Sequence, residues 1–556
     1  MKKLINDPRH VVREMLEGYV AANPALAMMD EFHVVLRADL PEEPAQRPVA
    51  VISGGGSGHE PAHAGYVGEG MLSAAVVGDV FTSPSVDAVL AAILATAGPA
   101  GAVLIVKNYT GDRLNFGLAA ELALQQGIPT AIIVVADDVA LRDTVARDRR
   151  RGIAGTVLVH KMAGAAAARG DPLDRVAEIG RRVASHVVTM GVGLGSCTVP
   201  AAGRAGFELG PDEIELGLGI HGEKGVARGR LPPVDQLVDR MLEPLLSELA
   251  VSRRQPAALL VNGLGATTAM ELAIVTRRAL AALTERGVTV ERVWTGNFMT
   301  ALEMPGCSLS LLPLDEERQE LLDHATTAPA WPGNGRTGPV KHVPAPQPAP
   351  TDAEGAANGP LSPAMRRVIA RIAAALDSAE PRLTALDSHA GDGDLGASMV
   401  RGAEALRALT DRSYDTPQRL LRDIGESLRR SIAGSSGPLY AAALLRASHI
   451  LTGIDRPTDA QWLDAFQGAI AALQDIGGAR PGDRTMLDAL VPASLAWRQN
   501  GWLAGASAAE TAAEATASMR PRMGRAAYLG DRAMGQPDGG AVAVAIWLKA
   551  IEEALA

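Results

Sequence analysis

APAWPGNGRTGPVKHVPAPQPAP, residues 328–350, separates two parts of the chain that carry different hydrophobic patterns. Seven of its 23 residues are proline and three are glycine. Such a composition nucleates neither a core nor a regular ladder, and it reads as a semi-extended linker. With its flanks the linker is expected over 327–360, leaving 1–326 before it and 361–556 after it.

On the N-terminal side, Val- and Ile-rich runs at 48–53, 74–78, 101–106 and 130–135 are bounded by Gly-rich turns and read as strands. Helix-like runs at 86–96 and 115–126 lie between them, and this alternation predicts a mostly parallel sheet covered by helices. A second α/β unit is expected from near Met190, with strands at 257–261, 288–294 and 308–312 and a helix at 269–283. The expected subdomains are about 1–188 and 189–326. Past the linker the pattern is Ala/Leu-rich, with helices at 364–377, 401–410, 417–431, 440–452, 459–477, 485–500, 507–519 and 541–556. Convincing strands are absent there. The expected fold is therefore multidomain: an N-terminal α/β region of two subdomains and a C-terminal all-α domain.

A chain of 556 residues exceeds one ordinary domain, and 47% hydrophobic residues let each unit bury a core. A formal charge of −10 argues against nonspecific nucleic-acid binding and for small-molecule partners. Cys197 and Cys307 alone make neither a disulfide framework nor a cysteine zinc site. The start MKKLINDPRH lacks the apolar core of a signal peptide. Residues 88–106 are uncharged, but Gly98-Pro-Ala-Gly101 divides them into helix, turn and strand rather than a membrane span. A cytoplasmic protein without membrane insertion is expected.

DSHAGDGDLG, residues 387–396, puts Asp387, Asp392 and Asp394 within eight residues, with glycines that let the backbone fold tightly between them. Three hard oxygen ligands on a flexible turn suit Mg²⁺ together with substrate phosphates. The helix-like run 397–409 follows, and its N-terminus can receive phosphate oxygens. On spacing alone an Asp/Gly surface turn or a calcium loop stays open. The missing Glu at the loop's far end argues against an EF-hand. In the first half, ISGGGSGHEP (52–61) follows a strand and ends near His59, and KNYTGDRLNFG (107–117) brings Lys107 and Asp112 to the same sheet edge. A Lys, an Asp and a His converging on one edge can bind and deprotonate a polyol, although each alone reads first as an ordinary loop residue. LGLGIHGEKG (216–225) satisfies the dinucleotide fingerprint formally, but 227–233 carries charge, Gly and two prolines, so no helix begins where a pyrophosphate needs one. His221 between glycines then reads as a nucleophile toward a carbonyl or as a structural histidine. AGSSGPL (433–439), GGARPGDRTM (477–486), GRAAYLG (524–530) and PDGG (537–540) add Gly-rich interhelical loops that together fit a rim of ligand contacts.

SGGGSGHEP, NYTGDRLNFG, GLGIHGEKG, GDGDLG, SSGPLY and PGDRTM, in this order, resemble the ATP-dependent dihydroxyacetone kinase family with substrate and nucleotide domains fused in one chain. The resemblance implies a helical-barrel nucleotide domain, a homodimer, and capping of one protomer's substrate site by its partner's helical domain. It implies that His221 Nε2 forms a covalent hemiaminal with the substrate ketone. Gly56, Ser57, Gly58, His59, Lys107 and Asp112 then line the substrate site, with Asp112 as base and His59 assisting as acid/base. Asp387, Asp392 and Asp394 match Mg²⁺ ligands, and Leu395, Gly396, Ala397 and Ser398 the phosphate loop. Ser435, Ser436, Gly477, Thr485, Met486, Arg525, Asp538, Gly539 and Gly540 match ATP contacts. Leu395 stands where the family more often has a polar residue, and Lys224 replaces a usual proline near His221. Erythrulose is therefore an alternative ketose to dihydroxyacetone. An FAD cyclase (lyase) side activity, which some fused members carry, and a noncatalytic ketose-binding regulator are the readings from other classes.

Overall fold

The structure is a computed structural model that describes residues 2–249, 255–346 and 359–556. Its compact units are Met1–Pro344 and Ala345–Ala556. In the first unit one six-stranded sheet has the order β1-β2-β4-β3-β5-β6, formed by β1 (Leu26–Met28), β2 (Val34–Arg37), β3 (Ala50–Ser57), β4 (Ala74–Val80), β5 (Ala102–Lys107) and β6 (Thr130–Val135). β4, β3, β5 and β6 are parallel, as the alternation predicts, while β1 and β2 add an antiparallel edge. Side chains alternate across β3: Ala50 and Ile52 pack with helices Val86–Thr96 and Thr110–Gln125, and Val51 packs with helices Thr156–Ala168 and Leu173–His186. At Gly54 a Cβ would lie 2.2 Å from the Val76 carbonyl oxygen, so β3 and β4 approach as closely as they do only with glycine.

A second six-stranded sheet has the order β11-β10-β12-β7-β8-β9, from β7 (Val188–Gly193), β8 (Glu213–Leu216), β9 (Ala227–Arg230), β10 (Pro256–Gly263), β11 (Thr289–Gly296) and β12 (Gly306–Pro313). Only its β10–β11 pair is parallel. A direct loop rather than a crossover helix joins β11 to β12, so β12 returns antiparallel beside β10. Helix Thr156–Ala168 is buried from Thr156 to Ala167, and residues of both sheets meet it in one core. The two α/β subdomains therefore share one hydrophobic core around this helix, while each sheet also packs helices of its own on its other face.

The segment read as linker packs onto the α/β unit in its first third. Trp331 is buried against Trp294, with ring centroids 4.8 Å apart, and Trp294 Nε1–H donates to the Gly333 carbonyl at 2.9 Å. Arg336 pairs with Asp323 at 3.0 Å. Composition alone understates this anchoring, because a single tryptophan supplies more buried apolar area than the surrounding prolines and glycines remove. Residues 347–358 of the segment lie outside the described residues.

The second unit is helical throughout its described residues. Helices Ser362–Ser378, Leu395–Arg407, Pro417–Ser431, Ser436–Ile450, Asp459–Gly477, Leu487–Asn500, Trp502–Ala515 and Gly539–Leu555 each pack on the next, and the last packs on the first. This closes a barrel. Helix Glu380–Ala390 packs against the first, second and last of them. No described helix is long and apolar enough to cross a membrane.

Candidate active site

β8 and β9 pair as a hairpin with Leu216 opposite Ala227, so residues 217–226 form its tip and carry His221 away from the sheet. Arg151 anchors this tip: it donates to the Gly217 carbonyl at 2.7 Å and pairs with the buried Asp138 at 2.6 Å. From the other sheet, the turn after β3 brings fully buried His59 to the same place. His59 Nε2 and His221 Nε2 lie 3.1 Å apart. His59 Nδ1–H donates to the Thr300 carbonyl at 2.7 Å. His221 Nδ1–H donates to Glu223 Oε1 at 2.9 Å, and the His221 backbone N–H donates to Glu223 Oε2 at 3.0 Å.

Aromatic rings frame the pair. Phe81 stacks on His59 at 5.1 Å and meets His221 edge-on at 5.1 Å, and Tyr109 meets His221 edge-on at 4.7 Å. Phe81 holds the left-handed backbone conformation, φ 59°, and a Cβ on Gly56 would lie 2.7 Å from its backbone. A Cβ on Gly58 would lie 2.9 Å from the Phe81 ring. Glycine at both positions is thus a steric requirement of the turn that seats His59. Lys107 and Asp112 are buried and converge on Gly55, where a Cβ would stand 3.1 Å from Lys107 Nζ and 3.6 Å from Asp112 Oδ2.

Burial, with Lys107 and His221 adding to it, holds His59 well below the ordinary histidine range, so its ring is neutral. Burial likewise lowers the Lys107 ammonium, while Asp112, Glu223 and Glu60 act in the opposite sense. For Glu223 burial alone would raise the carboxyl, but the hydrogen bond from His221 and the charge of its ring outweigh it and hold the group at about 2. Three polar atoms here, Ser57 Oγ, Tyr109 OH and Asp112 Oδ1, are buried without a hydrogen-bond partner among the described residues. Buried polar atoms left unpaired are costly, and three around one histidine pair mark a place for a small polar ligand.

In the second unit, successive barrel helices run in opposite directions, so the start of helix Leu395–Arg407 and the connections 432–435, 478–486 and 516–538 lie at one end. The three aspartates sit there. Asp387 is on the last turn of helix Glu380–Ala390, not on a flexible turn, and accepts from the Leu395 N–H at 3.2 Å. Asp394 caps the next helix by position. Oxygen atoms of Asp387, Asp392 and Asp394 lie within 4.8 Å of one another. Three carboxylate donors without nitrogen or sulfur fit Mg²⁺. Arg525 pairs with Asp392, which places a nucleotide-contact candidate against a metal-ligand candidate.

The other helical-domain candidates are brought together unevenly. A Cβ on Gly539 would lie 2.7 Å from the Leu395 side chain, and one on Gly540 would meet Asp538 Oδ2 at 3.1 Å and the Met486 backbone at 3.8 Å. Leu395, Met486, Asp538, Gly539 and Gly540 thus form one cluster, with Gly396 buried and Ala397 and Ser398 on the adjoining first turn. The Thr485 N–H donates to Asp488 at 2.8 Å. Ser435 and Ser436 begin their helix at the same barrel end, and Gly477 closes its own, but among the described residues no hydrogen bond joins them to the aspartates. Arg484, with φ 62°, is buried and donates to the Ala533 and Gln536 carbonyls at 2.6 and 2.9 Å, tying two connections together.

Residues 17–330 match the Dak1 domain and residues 389–553 the DAK2 domain. The chain belongs to the dihydroxyacetone kinase family. It is 44% identical to a putative 3,4-dihydroxy-2-butanone kinase of Solanum lycopersicum, over 99% of this chain and 97% of that protein. It is 42% identical to the triokinase/FMN cyclase of Homo sapiens, over 100% and 99%. The crystal structure of the C. freundii dihydroxyacetone kinase in complex with AMP-PNP and Mg²⁺ matches with TM-score 0.66 and 36% identity, covering 99% of each chain.

For this dihydroxyacetone kinase family member, sequence reasoning singled out both histidines, Lys107 and Asp112 but missed Glu223, Tyr109, Phe81 and Arg151. Glu223 stood inside a quoted motif, where a carboxylate two residues past a histidine was a usable signal. Arg151 and Phe81 gave none, because only tertiary folding brings them to the hairpin tip. Lys224 is exposed, and no hydrogen bond or ion pair ties it to His221.

Proposed function

We propose that this chain transfers the γ-phosphoryl group of ATP to a short-chain ketose, dihydroxyacetone first, giving dihydroxyacetone phosphate. The observation that carries this reading is the set of three unpaired buried polar atoms around the His59–His221 pair, which suits a small carbonyl compound bearing hydroxyls. His221 Nε2 attacks the carbonyl carbon and holds the substrate as a hemiaminal. A polyol such as glycerol has no carbonyl and escapes this capture. Asp112 takes the proton of the attacking hydroxyl, and Lys107 with Ser57 and the backbone at Gly56 and Gly58 orients the substrate. Phosphoryl transfer asks mainly for positioning and charge neutralisation. Asp387, Asp392 and Asp394 would hold Mg²⁺, which supplies that neutralisation at the ATP phosphates when bound. Residues Leu395 to Ser398, Ser435, Ser436, Gly477, Thr485, Met486, Arg525 and Asp538 to Gly540 are assigned to the nucleotide.

The relatives' names support the reaction class and leave several short ketoses in play, erythrulose among them. The exposed Lys224 gives no steric reason to prefer the longer ketose. We assign the chain to glycerol and carbohydrate metabolism in the cytoplasm, where free Cys197 and Cys307 are at home, and to a homodimer. A second reading, cyclisation of FAD at the helical domain, is favoured by the human relative's name. Incubation with FAD and Mn²⁺ in the absence of ketose tests it. The kinase reading is tested by formation of dihydroxyacetone phosphate from ATP, and its capture step with [2-¹³C]dihydroxyacetone: the carbonyl resonance should give way to a tetrahedral carbon on the native chain and persist on His221→Ala. An adduct on another residue contradicts the assignment.

A further inference from the structure

The connection between β7 and β8 reaches the hairpin tip that carries His221 through one side chain. From Ala201 to Glu208 every residue is exposed except Phe207. Its ring lies against Gly222, one residue past His221. A Cβ on Gly222 would stand 3.3 Å from Phe207 Cε1, and apart from chain neighbours no other described residue comes within 4 Å of that point. The ring is seated by its own segment. Ser196 Oγ accepts the Gly206 N–H at 3.1 Å and the Phe207 N–H at 3.3 Å, and Thr198 pairs with Ala205 in an antiparallel bridge, so residues 196–207 close on themselves as a flap. The neck of the flap is tied to the histidine site. The Thr198 N–H donates to Glu303 Oε1 at 3.0 Å, and Glu303 pairs with Lys3 at 2.5 Å. Next to Glu303, the Leu302 N–H donates to the Gly58 carbonyl at 2.7 Å, within the turn that seats His59.

That turn has a polar end and an apolar end. Lys107 and Asp112 converge at Gly55, whereas a Cβ on Gly58 would meet the Phe81 ring at 2.9 Å and Leu302 Cδ2 at 3.2 Å. Phe207 joins Phe81 and Leu302 in one apolar cluster. We propose that Phe207 is a specificity-determining residue: its ring closes the apolar end of the site and so limits the length of the ketose that is phosphorylated. The inference rests on the ketose kinase reading above. With the attacking hydroxyl at Asp112 and the carbonyl carbon at His221, the other arm of the ketose runs toward the apolar end. In dihydroxyacetone that arm is a single hydroxymethyl group. Each further carbon carries a hydroxyl toward Phe81, Leu302 and Phe207, whose side chains offer it no hydrogen bond, and burying an unpaired hydroxyl is costly. Phe207 stands outside the cores of both sheets, so the ring is open to substitution without dismantling them.

The test is the ratio of kcat/KM for erythrulose over dihydroxyacetone, measured with Mg-ATP on the full chain. The two ketoses differ by one carbon and one hydroxyl on the arm in question. Phe207→Ala should raise the ratio by at least about 10-fold, the lower end of what one methylene of pocket space commands in substrate discrimination. Phe207→Trp, which fills more of the same space, should lower it. Ser196→Ala keeps the ring but removes its seat, and should shift the ratio in the same direction as Phe207→Ala by a smaller factor. A ring that only packs on the hairpin would, when changed, depress both substrates alike. A ratio that stays at the native value in both Phe207→Ala and Phe207→Trp therefore overturns the inference. Thermal melting identifies a variant that fails to fold, and Phe207→Leu, expected to raise the ratio less than alanine, then takes the place of Phe207→Ala in the same comparison. A native chain that phosphorylates neither ketose overturns the kinase reading instead.

Discussion

Burial raises the Asp538 carboxyl to about 6, although the Ala541 N–H and Arg484 pull it the other way. An acid whose folded value lies above its unfolded one favours folding at low pH. That contribution is complete below about pH 4 and is lost as pH rises through about 6, at a cost on the order of 3 kcal/mol. Asp538 also caps helix Gly539–Leu555 by accepting from Ala541 N–H at 2.8 Å, a bond that asparagine reproduces. Asp538→Asn should therefore raise the melting temperature of the helical domain in the full chain at pH 7.5 and leave it unchanged near pH 4. A pH-independent gap would refute the assignment of strain to this carboxyl. If Asp538 serves ATP as proposed, the stabilised variant should bind nucleotide more weakly. Such residues were only partly legible in the sequence. His221 and Asp387 announced themselves by flanking glycines and by spacing. Tyr109 was not singled out, because its unpaired hydroxyl is a property of the folded surroundings.

At the scale of elements, periodicity carried the reading of several elements with one face toward solvent, although helices Val11–Ala21, Leu173–His186 and Val234–Leu249, which also bury one face, were not read. Helices Val86–Thr96, Pro417–Ser431 and Asp459–Gly477 and strand Thr130–Val135 stand where their patterns place them. Helix Thr156–Ala168 escaped because it is buried on all sides and so has no amphipathic stripe. Helix Glu380–Ala390 escaped because Asp, Ser and His near its end read as a loop, and so Asp387 was assigned to a turn. Its true seat has a consequence. A Cβ on Gly391 would lie 2.5 Å from Asp387 Oδ1, so Gly391→Ala should displace that carboxylate and weaken Mg²⁺ on the order of tenfold. Asp392→Asn or Asp394→Asn should lower kcat strongly. Calorimetry should find ketose binding intact in all three, since the ketose residues belong to the other unit. Equal loss of both affinities would mean misfolding or misassigned domains.

The molecule as a whole is two compact units, and its kinase reading needs both. Chains 1–344 and 345–556, expressed separately and mixed, should regain activity that rises with fragment concentration, because tethering mainly supplies an effective concentration on the order of millimolar. Activity independent of concentration would contradict two separable half-sites. If the helical domain of one protomer serves its partner, a verified heterodimer of His221→Ala and Asp392→Asn chains should recover activity, and no recovery would place both half-sites in one chain. The two-part plan was legible because the proline-rich segment and the change from alternating to helical patterns coincide, whereas the packing of Trp331 was not. The most direct test of the account is the ratio of kcat/KM for dihydroxyacetone over glycerol with Mg-ATP, in the native chain and in His221→Ala. Capture through His221 predicts a large ratio in the native chain that collapses in the variant. Equal turnover of both compounds by the native chain, or a ratio untouched by the substitution, would contradict it.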